Sequence, residues 1–161
     1  MRFRIREFHF KIMRAVVQRV TRARITVNGK VAGEIGAGLM VLLAVGRNDL
    51  SAAAEWMAER IVNLRIFNDE EGKMNRSLLD TGGALLVASQ FTLYGDARGG
   101  RRPSFVQAAS AELGRKLYED FLRAAVKAGV LVQAGVFQAH MAVELTNDGP
   151  VTILLDSDRN F

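Results

Sequence analysis

One mixed α/β domain is the fold class this chain predicts, and three observations carry it. Runs rich in β-branched and aliphatic residues stand near both ends, Arg14 to Val27 and Val151 to Leu155 among them. Residues 50–64 and 106–121 instead repeat their apolar positions at spacings of mostly three and four, the period of an amphipathic helix. A length of 161 residues, 49% hydrophobic, suits one core, and no stretch has the composition of an interdomain linker. The predicted order is three strands, helix, strand, helix, three strands.

Taken along the chain, Arg14 to Val27 interleaves β-branched and polar residues, and Asn28-Gly29 is the pair that tolerates positive φ in a tight type I′ turn. A hairpin with Lys30 to Ile35 follows. Gly36-Ala37-Gly38 leads into a buried strand, Leu39 to Val45. The spacing Gly33-x-x-Gly36-x-Gly38 is read as tight turns, because a phosphate-binding loop would need a helix after it and a strand follows instead. Asp49 stands where a helix cap is needed, before the stripe Leu50, Ala54, Met57, Ile61 and Leu64. Trp56 lies off that stripe and is expected at a boundary or subunit contact. Asn68 to Asp80 is polar and turn-rich.

Ala84 to Leu93 begins apolar and turns polar, so it predicts a central strand whose far end carries Ser89, Gln90 and Thr92. After Pro103, Ser104-Phe105-Val106-Gln107 fits a capping box opening a second helix. Its buried face would be Val106, Ala109, Leu113, Leu117 and Phe121, and Gly129 would end it. Val130 to Gln133, Ala139 to Thr146 and Val151 to Leu155 complete the strands.

The composition narrows the function classes. No apolar run approaches the ~18 residues of a membrane-spanning helix, so a soluble protein is expected. The absence of cysteine excludes disulfides and thiolate metal sites and is compatible with a reducing compartment. The net charge is +5, but three of those charges come from residues 1–12, where Arg2, Arg4, Arg6 and Lys11 face only Glu7. Apolar residues alternate with charges there, unlike the continuous core of a signal peptide. Residues 1–12 are therefore expected to be an extension or a misassigned start ahead of a domain at 13–161, and carry no functional argument.

Catalytic side chains are scarce. The histidines are His9, in the doubtful segment, and His140, read as a partly exposed strand residue; a histidine-dependent triad or metal cluster has little to stand on. Asp69-Glu70-Glu71 beside Lys73 reads as surface charge. Two segments remain. In Ser89-Gln90-Phe91-Thr92-Leu93 hydrogen-bonding groups gather at a strand end, which is either ordinary strand-end polarity or a place where chain amides leaving the ladder bind an oxyanion. Asn147-Asp148-Gly149-Pro150 is either a plain turn between strands or part of a site.

Together, Ser89-Gln90-Phe91-Thr92-Leu93 and Asn147-Asp148-Gly149-Pro150-Val151-Thr152 resemble the two motifs that define the D-aminoacyl-tRNA deacylase family, in the same order and at similar separation. The resemblance runs from Met13 to about Leu155. It includes Arg19, the turn from Ile35 to Leu39, and Arg102-Pro103-Ser104-Phe105. A sister group of tRNA editors has alanine where Phe91 stands, and this chain matches the classical form.

The resemblance implies a three-layer α/β/β fold and a cytoplasmic homodimer in which a cis Gly149-Pro150 peptide enters the partner's active site. There its carbonyls capture the substrate ammonium and exclude an L side chain, and Arg19 holds the segment. It further implies that Ser89, Gln90, Thr92 and the Phe91 amide line the ester, with the amide donating to the oxyanion. Water, assisted by the 2′-hydroxyl of the terminal adenosine, is preferred to Thr92 as the nucleophile. Phe137, Ala139 and Met141 correspond to the adenosine-binding segment, with Gln138 standing where the family usually has glycine. The expected substrate is a D-aminoacyl-tRNA, with glycyl-tRNA a second candidate, and the expected cofactors and metals are none. Arg98, Arg101 and Arg102 suit either tRNA phosphates or a solvated loop. Rival classes are a non-catalytic RNA-binding module and a general esterase. The latter lacks a Gly-x-Ser-x-Gly elbow here.

Overall fold

Residues 12–160 are described by the computed structural model; 1–11, with His9, and Phe161 lie outside them. The reading of 1–12 as an extension therefore falls almost wholly outside the described residues. Strand β1 (Arg14–Val27) turns at Asn28-Gly29, both with positive φ as the predicted tight turn requires, into β2 (Lys30–Ile35). The near half of β1 pairs with β3 (Gly38–Ala44) and its far half with β2. Along its other edge β1 pairs with β8 (Ala142–Asp156). Strands β6 (Ala84–Ser89) and β7 (Leu131–Ala134) extend the sheet parallel to β3, giving the order β2-β1-β3-β6-β7.

Two cores sit on opposite faces of β3 and β6, which explains why these strands read as continuous apolar runs. Alternation along the strands sends Leu39, Val41, Leu43, Leu85 and Val87 to one core, with Met57 and Ile61 of α1 (Ser51–Val62) and Leu117 and Phe121 of α3 (Ala111–Lys127). It sends Met40, Leu86 and Ala88 to the other, where Val20, Ala23, Ile25 and Ile35 of β1 and β2 cover them. Gly38 is required by close approach: a Cβ there would lie 1.9 Å from the Ala84 carbonyl oxygen.

Several elements differ from expectation. The stretch 68–80 holds a short hairpin, β4 (Phe67–Asn68) and β5 (Met74–Arg76), then α2 (Leu78–Thr81) with Ser77 and Asp80 forming a reciprocal capping box. Asp69 organises the hairpin turn by accepting from the Glu71 and Lys73 amides and the Asn75 side chain, which lowers its pKa. The long second helix starts at Ala111, capped by Ser110, whose Oγ accepts from the Leu113 amide. Ser104 caps nothing; it exchanges two backbone bonds with Asp96 to close a loop, and Val106 is exposed. The two strands expected after residue 139 are one, because β1 offers a single long edge to pair with. Trp56 is half-buried at the boundary of the helical core, under the Arg60 guanidinium.

Asp49 is also not a helix cap. Leu50 occupies that position without a side-chain bond, and Asp49 is buried, its Oδ2 accepting from the Gly46 amide at 2.6 Å. The cause is tertiary: residues 45–47 are gripped by 107–109 through bonds from the Arg47 amide to the Gln107 carbonyl and from the Ala109 amide to the Val45 carbonyl. The turn is drawn inward with its carboxyl. Burial, with nearby Asp158, outweighs the Gly46 bond and pushes the Asp49 carboxyl up to about 7.

A raised carboxyl means that the folded protein holds a proton the unfolded chain has lost. The stability it supplies is full below about pH 4 and is lost as pH rises through the folded value. Thermal melts of the wild type should fall between pH 5 and pH 8. Asp49→Asn should flatten that slope and match or exceed the wild-type melting temperature at pH 8. Parallel slopes for the two proteins would count against a buried protonated carboxyl.

Candidate active site

Strands β3, β6 and β7 run parallel, and a pocket of about 540 Å³ opens beyond their carboxyl ends. Such ends are where chain polar groups leave the ladder unpaired, and the volume suits a small ligand or one nucleoside unit. Leu43 to Val45 and Ala88 to Phe91 form one wall, Ala109 to Ala111 with Gly114 and Tyr118 a second, and Phe137 to Met141 the third.

The first wall comes from the way β6 stops. Gln90 still donates its amide to the Leu43 carbonyl at 2.8 Å, and Phe91–Tyr94 then coils into a 3-10 turn. The predicted strand to Leu93 therefore ends at Ser89. The turn's first internal bond runs from the Leu93 amide to the Gln90 carbonyl, so the Phe91 and Thr92 amides precede any acceptor within it. Gln90 Nε2 donates to Thr92 Oγ1. Ser89, Gln90 and Phe91 line the pocket; Thr92, the fourth expected site residue, is exposed on the turn and does not line it.

The strand expected over Ala139 to Thr146 begins only at Ala142, as β8, so its first three residues belong instead to the third wall. Phe137 to Met141 is a loop closed by a bond from the Ala139 amide to the Val136 carbonyl at 3.1 Å. His140 is exposed on this loop and not on a strand. Gln138 has φ +65°, the left-handed region that glycine enters most readily, and it stays there with its side chain in solvent. Phe137 packs between Tyr118, at 5.7 Å between centroids, and the Arg115 guanidinium, 4.8 Å from its ring centre.

A helix opening at Ser104 does not account for the second wall, because α3 starts at Ala111 and brings its cap to the pocket. Ser110, Gly114 and Tyr118 share one face of α3 and meet the pocket; the run Ala108-Ala109-Ser110 was the available signal. Tyr118 donates its hydroxyl to the Val87 carbonyl at 3.1 Å, and burial pushes it up to about 12, so it is a fixed neutral wall.

Gly149 and Pro150 do not line this pocket; they form a separate feature. Arg19 alone of β1 stands opposite four residues of β8, Asp148 to Val151, which bulge outward. The Gly149-Pro150 peptide is cis. Asn147 ties the bulge by accepting from the Val151 amide at 2.7 Å and donating to the Val151 carbonyl at 3.1 Å. Arg19 is buried and donates Nε to the Asp148 carbonyl at 3.0 Å and Nη1 to the Ile66 carbonyl at 2.7 Å. Gly149 has φ +140°, and a Cβ on it would lie 2.7 Å from Val151 Cγ2. Both Gly149 and Pro150 are exposed.

Among the described residues no group of three or more His, Cys, Asp or Glu side chains is placed to hold a metal ion, and no helix is long and apolar enough to cross a membrane. Fold and pocket together define a single-domain α/β protein whose site is walled, His140 apart, by side chains that carry no charge. The chain belongs to the D-Tyr-tRNA(Tyr) deacylase family, whose model matches residues 16–156. It is 58% identical to the D-aminoacyl-tRNA deacylase of Symbiobacterium thermophilum over 93% of this chain and 99% of that one. It is also 58% identical to that of Clostridioides difficile, over 92% and 100%. A solved structure of the c-Myc DNA unwinding element binding protein superposes with a TM-score of 0.84 at 42% identity, covering 88% of this chain and 97% of that one.

Proposed function

We propose that the protein hydrolyses the ester between a tRNA and a D-amino acid, releasing both, and accepts glycyl esters for want of a side chain to exclude. The observation that carries this is the meeting of the Ser89 to Phe91 turn and the Phe137 to Met141 loop in one nucleoside-sized pocket. The terminal adenosine enters against Phe137, Ala139 and Met141, with its ester carbonyl towards Ser89, Gln90 and Thr92. Water attacks the carbonyl, the Phe91 amide donates to the oxyanion, and the adenosine's 2′-hydroxyl orients the water and relays its proton to the departing 3′ oxygen. No cofactor enters the reaction.

Gly149 and Pro150 serve the partner's pocket in a homodimer, a reading supported by their exposure on a bulge of their own sheet and by their absence from the lining of their own pocket. Their carbonyls hold the substrate ammonium, and a backbone wall pinned by Arg19 is stiffer than a side chain, as rejection of L residues by shape requires. The working domain is 13–161, and its place is the cytoplasm, where charged tRNA is.

One tRNA charged with D- or L-tyrosine tests this directly. The D ester should be cleaved at least about 100-fold faster, a ratio worth some 3 kcal/mol, while the protein sediments as a dimer. Equal rates would sink the chiral reading. Binding without release of amino acid would favour the RNA-binding alternative, and inactivation by serine-directed reagents the esterase.

A further inference from the structure

Two partly exposed aromatic rings meet beside the pocket, and one of them, Phe91, lines it. Phe91 is 58% exposed and Phe105 37%, yet they meet edge to face with centroids 5.2 Å apart. Phe105 reaches Phe91 because the loop 96–104 is closed by paired bonds between Asp96 and Ser104, of 2.8 and 2.9 Å. Its ring then lies against Gly95, where a Cβ would stand 3.2 Å from Phe105 Cε1. The same loop carries three arginines. Arg98 is neutralised by Asp96 at 2.7 Å. Arg101 and Arg102 are exposed and pair with no carboxylate among the described residues.

We propose that Phe91 and Phe105, with Arg101 and Arg102, form a stacking seat for the nucleotide that precedes the terminal adenosine of the tRNA. This rests on the aminoacyl-tRNA reading of the pocket and extends it outward by one nucleotide. The 3′ end of a tRNA is single-stranded, and unpaired bases are held by stacking on aromatic faces while nearby guanidiniums take the phosphates. Phe91 lines the adenosine pocket with one part and faces solvent with the rest, so a chain leaving the pocket on that side passes over the aromatic pair. Unpaired arginines beside exposed rings match an anionic, base-bearing strand.

The test compares D-tyrosyl-tRNA with 3′-O-D-tyrosyl-adenosine, which lacks the preceding nucleotide. Phe105→Leu, which keeps apolar bulk without an aromatic face, should raise KM for the tRNA about tenfold and leave kcat and the adenosine ester unaffected. Phe105→Tyr should restore the tRNA KM. Replacing both Arg101 and Arg102 with serine should raise the tRNA KM and flatten its salt dependence. An unchanged tRNA KM in Phe105→Leu overturns the proposal. So does equal slowing of both substrates, which would make Phe105 a support of the catalytic turn, and so does loss of the dimer, which would make the pair a subunit contact. A wild type inactive on both substrates would instead sink the aminoacyl-tRNA reading beneath it.

Discussion

D-tyrosyl-tRNA ending in 2′-deoxyadenosine should be hydrolysed at least about 100-fold more slowly than the normal substrate in a single turnover, while Thr92→Ala stays within about tenfold of wild type on the normal one. The expectation follows from what surrounds the ester. Thr92 Oγ1 accepts a hydrogen bond from Gln90 Nε2, and among the described residues no carboxylate or imidazole is hydrogen-bonded to it to take its proton. Removing it deletes a contact but spares the Phe91 and Thr92 amides, which belong to the backbone turn. A nucleophilic threonine behaves otherwise, its loss costing on the order of 10⁵-fold or more. A dead Thr92→Ala enzyme together with normal cleavage of the deoxy substrate would make Thr92 the nucleophile.

Arg19 should matter nearly as much, although it lies outside the pocket. Its guanidinium joins β1 to the Asp148 carbonyl of the bulge and to the Ile66 carbonyl below it, all but out of solvent. Arg19→Ala strips both acceptors of a charged donor and should lower stability by about 2–4 kcal/mol. It should also cut kcat/KM on D-tyrosyl-tRNA about 100-fold, the scale set by misplacing a substrate-positioning group by an ångström. Arg19→Lys separates the two effects. A lysine keeps the charge but cannot fork to two carbonyls, so the fold should survive with the bulge loosened. The D over L rate ratio should then drop while the melting temperature moves little. An unchanged ratio would show that the Gly149-Pro150 bulge does not discriminate chirality.

The legible parts of this fold were those set by local pattern. The Asn28-Gly29 turn could be read because only a few residue types accept positive φ at both positions. The helices were readable as apolar stripes: Ala54, Met57 and Ile61 of α1 are buried as spaced, and Leu64 packs partly against the same core. Leu50, expected on that stripe, is exposed because it stands at the cap, ahead of the first helical turn. The starts of the helices were less readable. Ser104 and Asp49 both carry the chemistry of a cap, yet Ser104 is spent on closing a loop and Asp49 is pulled inside by the grip of 107–109 on 45–47. A cap is defined by where the next three amides point, and these bonds to distant segments decide that.

The same division runs through the site. By itself the sequence determined the class of fold, the two motifs and the residues worth naming, because turn chemistry, periodicity and motif spacing are properties of neighbours along the chain. Only the tertiary structure decided that Ser89 to Phe91 shares a pocket with Phe137 to Met141, and that the front of α3 closes it. Only it decided that Asn147 to Pro150 is no turn between two strands but lies within one strand, which bulges at Asp148 to Val151 opposite Arg19. The reason is physical: β1 offers a single long edge, and pairing along it continues on both sides of the bulge because broken ladder bonds cost more than a few residues displaced outward.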